Sequence, residues 1–382
     1  MLNRKFIIGI LVLLVCTPIV SWIIWNSQTI RPIGFTIFDK RVPQKQAIFH
    51  QALNWILNYN KFYKPDNTPF LPERSVKEYA PVKNIAFSIN SVKTTKSELY
   101  RKTKYIDFAY FTELPCEAPS KTPFPTKQAD YLHPFNTFTG NDYTMLTLLK
   151  NEQKPIITEG NFITHFINYK IQGLYQKQFG IRWTGWCGKF FFSLDTSINK
   201  EIPKWITKAY MLQYKKRWNY KRSGIVMVDT NNRIFVLEKG KQLEREVPMI
   251  QSSKYAIQKY NLPDEIHYPT WFYIMQTGEQ NNVVARFRLY TNKNGDSILR
   301  QYSIPKAFPA IIEHTGDYTY YHFAADFSNF PSHFSFSKLK YIDFLSPLFY
   351  KRNYSEKDMF FWEYYIPLMT SIFNKTIIHN KK

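Results

Sequence analysis

The N-terminal segment constrains this chain more than any other. Arg4 and Lys5 are followed by residues 6–30, which contain no charged side chain. A helix that rises about 1.5 Å per residue needs about 20 apolar residues to cross the hydrocarbon core of a bilayer, so this run is long enough to span. The basic pair predicts a cytoplasmic N-terminus, and it places everything after Arg31 outside the cytoplasm.

A cleaved signal peptide is the alternative interpretation of this run. Its apolar region would be about 7–15 residues long and would end in small residues. Here the run continues through Trp22 and Ile24 without a site of the A-x-A type. A lipoprotein would use Cys16, but Val15 stands where a small residue is normally found. We therefore expect an uncleaved single-pass anchor, and we divide the chain into the anchor (1–30), a main domain (31–334) and an aromatic helical tail (335–382).

The net charge bears on partners rather than on the fold. Lys and Arg total 51 against 29 Asp and Glu, which gives a formal charge of +22. A domain tethered outside the cytoplasm meets anionic headgroups and acidic envelope polymers, and it rarely meets nucleic acid. We expect the membrane as a partner through one helix, together with an anionic envelope polymer, a glycan or a protein. We expect no nucleic acid and no cofactor.

Apolar runs and helical periodicity alternate through the first half of the chain. Strands are predicted at residues 34–38, 85–89, 106–111 and 155–158, with helices between them at 44–59 and 141–150 and a further helix at 162–178. Strand–helix alternation of this kind is typical of a parallel sheet covered by helices on both faces. The predicted fold class is therefore α/β.

The second half is richer in strands. Strands are predicted at residues 224–229, 233–238, 285–289, 310–313 and 318–325, and Arg286 and Arg288 alternate with apolar residues as in a strand that is wet on one face. Residues 292–296 predict a hairpin turn in which Gly295 takes a positive φ. We expect one α/β unit with a β-rich C-terminal elaboration. The aromatic segment 357–373 predicts a helix docked on this unit, with a helix at the membrane interface as the alternative.

Acidic and small residues stand at the carboxyl ends of the predicted strands, where ligands bind in open parallel sheets. Asp39 follows the first strand, Glu113 the third, and Glu159 and Asn161 the fourth. Two carboxylates of unequal pKa could hydrolyse a glycosidic bond, which makes Glu159 and Glu113 the candidate catalytic residues. Such residues also end strands simply because turns favour them.

Two tryptophans around a glycine form the most distinctive local motif, IRWTGWCGK. Trp183 and Trp186, flanked by Arg182, could form a stacking wall with a cationic rim for a sugar or an anionic ligand. Alternatively, both rings are core residues beneath a glycine-rich turn. The candidate ligand-binding residues are therefore Arg182, Trp183 and Trp186, together with Asp39, Asn161 and Asp326.

Cysteine and histidine offer little further chemistry. Cys116 and Cys187 could form a disulfide in an oxidising compartment, but the sequence does not show whether their Cα atoms come within the ~4.4–6.8 Å that a disulfide needs. A metal site could combine His314, His322, Asp326 and His333. The spacing of His322 and Asp326 only places them on one face of a strand, so we expect no metal.

Five motifs carry a resemblance to a known family: ITEGN (157–161), WTGW (183–186), IPKW (202–205), SGIV (223–226) and FAADF (323–327). Together they resemble a family of uncharacterised, membrane-anchored bacterial proteins whose soluble part is similar to the class I glutamine amidotransferase-like fold. The resemblance covers residues 33–329. It implies a flavodoxin-like α/β domain and no particular reaction.

Catalytic amidotransferases of this fold carry a cysteine on the sharp turn between a strand and a helix, with a downstream His and Glu. Here that turn is Glu159-Gly160-Asn161-Phe162, which has no Cys, Ser or Thr. The turn at 112–116 also departs from the aromatic, glycine-containing stretch that we would expect of relatives. The sequence leaves catalysis open and favours a non-catalytic domain that binds an envelope component or a partner protein. A carbohydrate-active envelope hydrolase that uses the strand-end carboxylates is the alternative.

Overall fold

The computed structural model describes residues 33–38, 46–47, 49–50, 52–53, 56, 62–63, 69–70, 82–84, 96–112, 140–160, 176–193, 222–229, 233–245, 249–268, 271–328 and 360–374. Within these ranges no helix is long and apolar enough to cross a membrane. The predicted anchor at residues 6–30 lies outside them, so the anchor and the cellular location stay predictions.

Strands dominate the described part of the chain. In chain order they are β1 Ile33–Phe38, β2 Phe62–Tyr63, β3 Pro69–Phe70, β4 Val82–Asn84, β5 Phe108–Phe111, β6 Ile156–Glu159, β7 Ile181–Ser193, β8 Arg222–Asp229, β9 Ile234–Glu238, β10 Met249–Ser252, β11 Glu265–His267, β12 Trp271–Thr277, β13 Asn282–Arg288, β14 Ala307–Thr315 and β15 Thr319–Phe323. The helices are α1 Lys96–Thr103, α2 Gly140–Asn151, α3 Lys254–Tyr260, α4 Lys293–Gln301 and α5 Ile366–Phe373. Helical residues also occur within 46–56 and at 176–179.

The main sheet has nine strands in the order β11-β10-β13-β14-β15-β6-β5-β1-β4. The neighbours from β15 to β4 are all parallel, whereas β14, β13, β10 and β11 continue the sheet with antiparallel pairs. Strands β5 and β6 are fully buried, as strands covered on both faces must be. The predicted α/β class is confirmed, and the sheet is mixed rather than purely parallel.

Successive residues of β15 show what covers the two faces, because neighbouring side chains on a strand point to opposite sides. On one side, the hydroxyl of Tyr321 lies 3.2 Å from that of Tyr260 in α3. On the other, the ring of Tyr320 packs 4.6 Å from that of Phe179. Lys150, at the end of α2, lies over the ring of Phe179. Helical segments therefore flank this part of the sheet on both faces.

A second, antiparallel sheet has the order β12-β7-β8-β9. It is joined to the main sheet through the start of β12, where the amide of Tyr273 donates to the carbonyl of Ala324 over 2.8 Å. The buried ring of Phe272 lies 5.3 Å from Phe287 and 5.5 Å from Phe308, both on strands of the main sheet. The predicted β-rich elaboration thus shares its aromatic core with the α/β unit.

The turn predicted at residues 292–296 is wrong, because this segment begins helix α4. Asn292 is the N-cap, and its side chain accepts a hydrogen bond from the amide of Gly295. Gly295 is required for close packing rather than for a positive φ, since a Cβ there would lie 2.4 Å from the carbonyl oxygen of Gln242. The strand predicted at residues 85–89 lies outside the described ranges and stays a prediction, and β4 occupies the preceding residues Val82–Asn84.

The aromatic segment near the C-terminus forms a helix that docks on the sheet. A π-helical turn at Phe361–Tyr365 leads directly into α5, with the amide of Ile366 donating to the carbonyl of Phe361. Pro367 cannot donate to the carbonyl of Glu363, which is consistent with the wider turn at this point. The ring of Phe373 packs at 5.0 Å and 89° against Phe108 of β5.

Gly224 should be among the least replaceable residues of the second sheet. A Cβ at this position would lie 2.1 Å from the backbone carbonyl oxygen of Leu237 on the adjacent strand, and a backbone atom cannot move aside without disturbing the pairing of β8 and β9. We expect Gly224→Ala to lower the free energy of unfolding by about 1–3 kcal/mol, measured by urea denaturation. Gly316→Ala is the matched control, because its nearest neighbouring atom is 3.5 Å away. A cost no larger at Gly224 than at Gly316 would contradict this packing.

Candidate functional site

Strand β6 leads into the turn that the family resemblance predicts at residues 159–162, of which the structure describes Glu159 and Gly160. Gly160 follows the strand with a φ of 54°, and its amide donates to the carbonyl of Phe323 in β15 over 2.7 Å. A left-handed φ at this point suits glycine, which has no Cβ to clash. Because Gly160 has no side chain, the residue at the bend offers no nucleophile. Among the described residues, the functional group next to this bend along the chain is the carboxylate of Glu159.

Glu159 is buried, with no solvent-exposed surface, and both of its oxygens accept hydrogen bonds. The hydroxyl of Tyr110, in β5, donates to Oε1 over 2.5 Å. Ser328 donates twice, from its amide to Oε1 over 2.9 Å and from its hydroxyl to Oε2 over 2.5 Å. An unpaired carboxylate would be very costly here, and these three donors are what make its burial tolerable.

Tyr110 connects this carboxylate to the C-terminal helix. The hydroxyl of Tyr365 lies 3.3 Å from that of Tyr110. Burial, and then the neighbouring charge of Glu159, raise the pKa of Tyr110 well above its ordinary value. The phenol therefore stays protonated and serves as a hydrogen-bond donor rather than as a base.

Asp326 lies next to this group, on the segment that follows β15. Its Oδ1 accepts a hydrogen bond of 3.2 Å from the hydroxyl of Ser328, the same hydroxyl that contacts Glu159. Asp326 is partly exposed, whereas Glu159 and Ser328 are buried. The structure thus brings together Glu159 and Asp326, two of the residues that the sequence singled out. It adds Tyr110 and Ser328, which sequence reasoning missed.

A second polar cluster lies on the opposite face of the sheet, on β6 and β15. Oγ1 of Thr158 is 2.5 Å from the hydroxyl of Tyr320 and 2.9 Å from Nδ1 of His322, and all three residues are buried. Nε2 of His322 has no hydrogen-bond partner within the described part of the chain. Burial lowers the pKa of His322 to about 3, so its imidazole is neutral at physiological pH.

A second buried carboxylate, Glu313 of β14, lies on the face that carries α3. Tyr260, Tyr321, Tyr255 and Lys259 donate to it, with Lys259 at 2.7 Å and Tyr321 at 3.0 Å. Burial alone would lower the pKa of Lys259, but its hydrogen bonds to Glu313 and Tyr255 outweigh burial and raise it. Glu313 is therefore a fully hydrogen-bonded structural residue.

The two tryptophans of the IRWTGWCGK motif belong to the core alternative rather than to a stacking wall. Trp186 is 5% exposed and packs against Phe235 and Tyr302 at ring-centroid distances of 5.4 Å. Trp183 is half-buried, and its Nε1 donates to the carbonyl of Trp186 over 2.9 Å.

The cation beside Trp186 is not the predicted Arg182, which is exposed on β7. It is Arg233, whose guanidinium carbon lies 5.1 Å from the Trp186 ring centroid. Arg233 is paired with the buried carboxylate of Asp229 at 2.6 Å. This ion pair joins the end of β8 to the residue that precedes β9.

The remaining predicted site residues are tested only in part. Asp39, Glu113, Asn161 and Cys116 lie outside the described ranges. Cys187 is buried in β7. Because Cys116 lies outside the described ranges, a disulfide between the two cysteines stays a prediction.

His314 and His322 were also considered as metal ligands. His314 contacts Gln280, Asn281 and Asp317. In the described part, no group of three or more His, Cys, Asp or Glu residues could hold a metal ion.

Comparisons with known proteins give only distant similarities. No protein-family model and no curated protein matches the sequence. A protein described as ThuA-like from Bacteroides uniformis shares 10% identity at a TM-score of 0.35, covering 78% of this chain and 83% of that one. A second, from Parabacteroides merdae, shares 7% at 0.36, covering 77% and 79%.

The exo-β-1,4-mannosidase Op5Man5 of an Opitutaceae bacterium shares 8% identity at a TM-score of 0.31, covering 86% of this chain and 36% of that one. Similarities this distant establish neither a family nor an activity. Only the residues of the chain itself therefore bear on its function.

Replacing the buried carboxylate tests its structural role. Glu159→Gln leaves one acceptor oxygen and introduces an amide donor opposite the Ser328 hydroxyl, so at least one buried donor loses its partner. We expect the free energy of unfolding to fall by about 2–4 kcal/mol, measured by chemical denaturation. Glu238→Gln is the control, since Glu238 pairs with the exposed Lys241 and should cost about 0.5 kcal/mol or less. Equal stabilities of the two variants would contradict the role of Glu159.

The buried imidazole predicts a dependence of stability on pH. The unfolded chain protonates His322 near pH 6.5, whereas the folded chain resists protonation until about pH 3. Because the unfolded state binds more protons in this window, stability falls as the pH drops through 6.5. We expect His322 to account for about 2 kcal/mol of lost stability between pH 7.5 and pH 5. Denaturation of His322→Gln at both pH values should show a loss smaller by that amount, and identical losses would contradict the buried neutral state.

Proposed function

We propose that this chain is a membrane-anchored, non-catalytic binding domain that lies outside the cytoplasm of a bacterium. Its architecture resembles the class I glutamine amidotransferases, and its role is to hold an envelope component or a partner protein. The observation that carries the proposal is the state of Glu159, which stands beside the bend and has both oxygens engaged by Tyr110 and Ser328.

A group that attacks a substrate, or exchanges a proton with it, must come within hydrogen-bonding distance of the reacting atom. Glu159 has no exposed surface, and its donors come from two separate parts of the fold, β5 and the segment after β15. Tyr365 of the C-terminal helix in turn contacts Tyr110. Freeing this carboxylate would leave buried phenol, hydroxyl and amide donors without an acceptor. These contacts favour a carboxylate that holds segments together over one that performs chemistry.

Two further observations support a binding role at this end of the sheet. The carboxyl ends of the parallel strands are where open α/β sheets bind ligands, and Asp326 keeps a partly exposed carboxylate there. Asp326 is held at 3.2 Å by the Ser328 hydroxyl, so Glu159 indirectly sets its position. A positioned, partly exposed acid of this kind suits recognition of a partner.

The location follows from the sequence alone. The uncharged run at 6–30 provides the anchor, and the basic pair before it provides the orientation. The excess of positive charge favours an acidic envelope polymer or a protein with an acidic surface over a nucleic acid.

The proposal is tested by looking for turnover. The full chain, purified from the membrane fraction in detergent, should release no ammonia from glutamine and no reducing sugar from envelope glycans. Glu159→Asp and Asp326→Asn serve as variants, with the unfolding midpoint measured in parallel so that loss of folding is recognised.

Hydrolysis by the unaltered chain that a folded Glu159→Asp variant loses would overturn the proposal in favour of the carbohydrate hydrolase. Recovery of the protein in the soluble fraction, cleaved near its N-terminus, would overturn the proposed anchor.

A further inference from the structure

Strand β13 presents two arginines on one exposed face. Arg286 and Arg288 are exposed, and they alternate with the buried side chains of Ala285, Phe287 and Leu289. Residues two apart on a strand point the same way, with Cα atoms about 6.8 Å apart. Pairing with β10 on one side and β14 on the other holds β13 in place. We call these two residues the arginine row.

The residues paired directly with the arginine row on the two adjacent strands are not acidic. Gln251 and Pro309 stand beside Arg286, and Met249 and Ala307 stand beside Arg288. Arg288 donates to the neutral side chain of Gln251 over 3.2 Å. The side chain of Arg286 has no ion pair or hydrogen bond within the described ranges. Neither arginine of the row therefore stands opposite a carboxylate on β10 or β14.

Among the described residues, the acids close to this row lie around a different arginine. The guanidinium of Arg245 lies 2.5 Å from the carboxylate of Glu265, and the charge of Glu244 acts on it as well. Burial alone would raise the pKa of Glu265. The hydrogen bonds from Tyr290 and Arg245 lower it, and the charges of Arg245 and Arg288 lower it further. Glu265 therefore pairs with Arg245, and within the described residues neither arginine of the row forms an ion pair.

Within the described residues, the aromatic ring beside the row is that of Tyr290, and two arginines already lie over it. Guanidinium carbons lie 4.1 Å and 4.9 Å from the Tyr290 ring centroid, from Arg245 and Arg288 respectively. Tyr290 also donates its hydroxyl to Glu265. Its ring is therefore not a free platform for stacking a sugar or a base, so recognition on this face depends on charge and on the guanidinium forks.

We propose that the arginine row binds consecutive phosphate groups of a polyanionic envelope polymer. The inference rests on the proposed binding function and names the chemistry of its partner. A guanidinium binds a phosphate through two parallel hydrogen bonds, which a lysine cannot do. A polymer that occupies the first fork presents its next phosphate to the second at a high effective concentration. The formal charge of +22 favours the approach of such a chain.

Binding is measured with soluble inorganic polyphosphate and the full chain in detergent. We expect Arg286→Gln combined with Arg288→Gln to weaken binding about tenfold and to reduce its dependence on salt concentration. The matched control combines Arg101→Gln with Lys104→Gln, two exposed cations on and just after helix α1. The control should weaken binding less than about twofold.

Several outcomes would overturn the inference. An equal loss in the row variant and the control would show that overall charge, and not this face, is responsible. Equal row-dependent binding of a uronic acid polymer would show that phosphate is not selected. Binding to phosphatidylglycerol vesicles but not to polyphosphate would assign the row to the membrane.

The unfolding midpoint of each variant confirms that the exposed substitutions leave the fold intact. Failure of the row to bind polyphosphate leaves the turnover test of Glu159 unaffected, so failure of this inference is distinguishable from failure of the proposed function.

Discussion

Burial of the Glu159 carboxylate is the constraint on which the centre of the molecule depends. A charge inside the protein is tolerated only when hydrogen-bond donors replace the water it has lost. Tyr110 supplies one donor from the neighbouring strand, and Ser328 supplies two from the segment after β15. Tyr365 of the C-terminal helix then contacts Tyr110. One carboxylate thereby joins four parts of the chain that sequence alone would not bring together.

The same solution recurs at Glu313, where three tyrosines and Lys259 surround a second buried carboxylate. A phenol is well suited to this role, because it buries a large apolar ring and still offers a donor without adding a second charge. The chain contains 27 tyrosines, and part of that content serves to hold these carboxylates rather than to bind sugars. A lysine also takes part at Glu313, where its side chain remains 21% exposed.

The sequence predicts the local elements better than their partners. The strands before Glu113 and Glu159 were correctly predicted and are neighbours, because an apolar run of that length has few other uses in an α/β chain. The segment after Tyr290 was wrongly predicted, since Asn292 and Gly295 suit a turn and a capped helix equally well. Packing of Gly295 against the distant carbonyl of Gln242 decides between them, and no local pattern encodes that contact.

The site was predictable in position but not in environment. Strand-end reasoning found Glu159, and Asp326 was named separately as part of the FAADF motif, yet neither gave a sign that Glu159 would be fully buried. The available signal was the serine two residues after Asp326, since short polar side chains near a buried acid often serve as its donors. Trp186 was uncertain for a related reason. An aromatic beside glycines suits a core or a binding surface, and here Arg233 and Tyr302 cover its ring.

The position of β15 governs when this protein can finish folding. Tyr320 pairs with Ile156, and Ser328 reaches back to Glu159 across 169 residues of chain. Contacts of such sequence separation slow folding, because a long loop must close before they form. During synthesis from the N-terminus, the edge of β6 that pairs with β15 therefore stays unpaired until most of the polypeptide has emerged. A chaperone that shields this edge, or delivery of the chain in an extended form, would suit a protein built in this way.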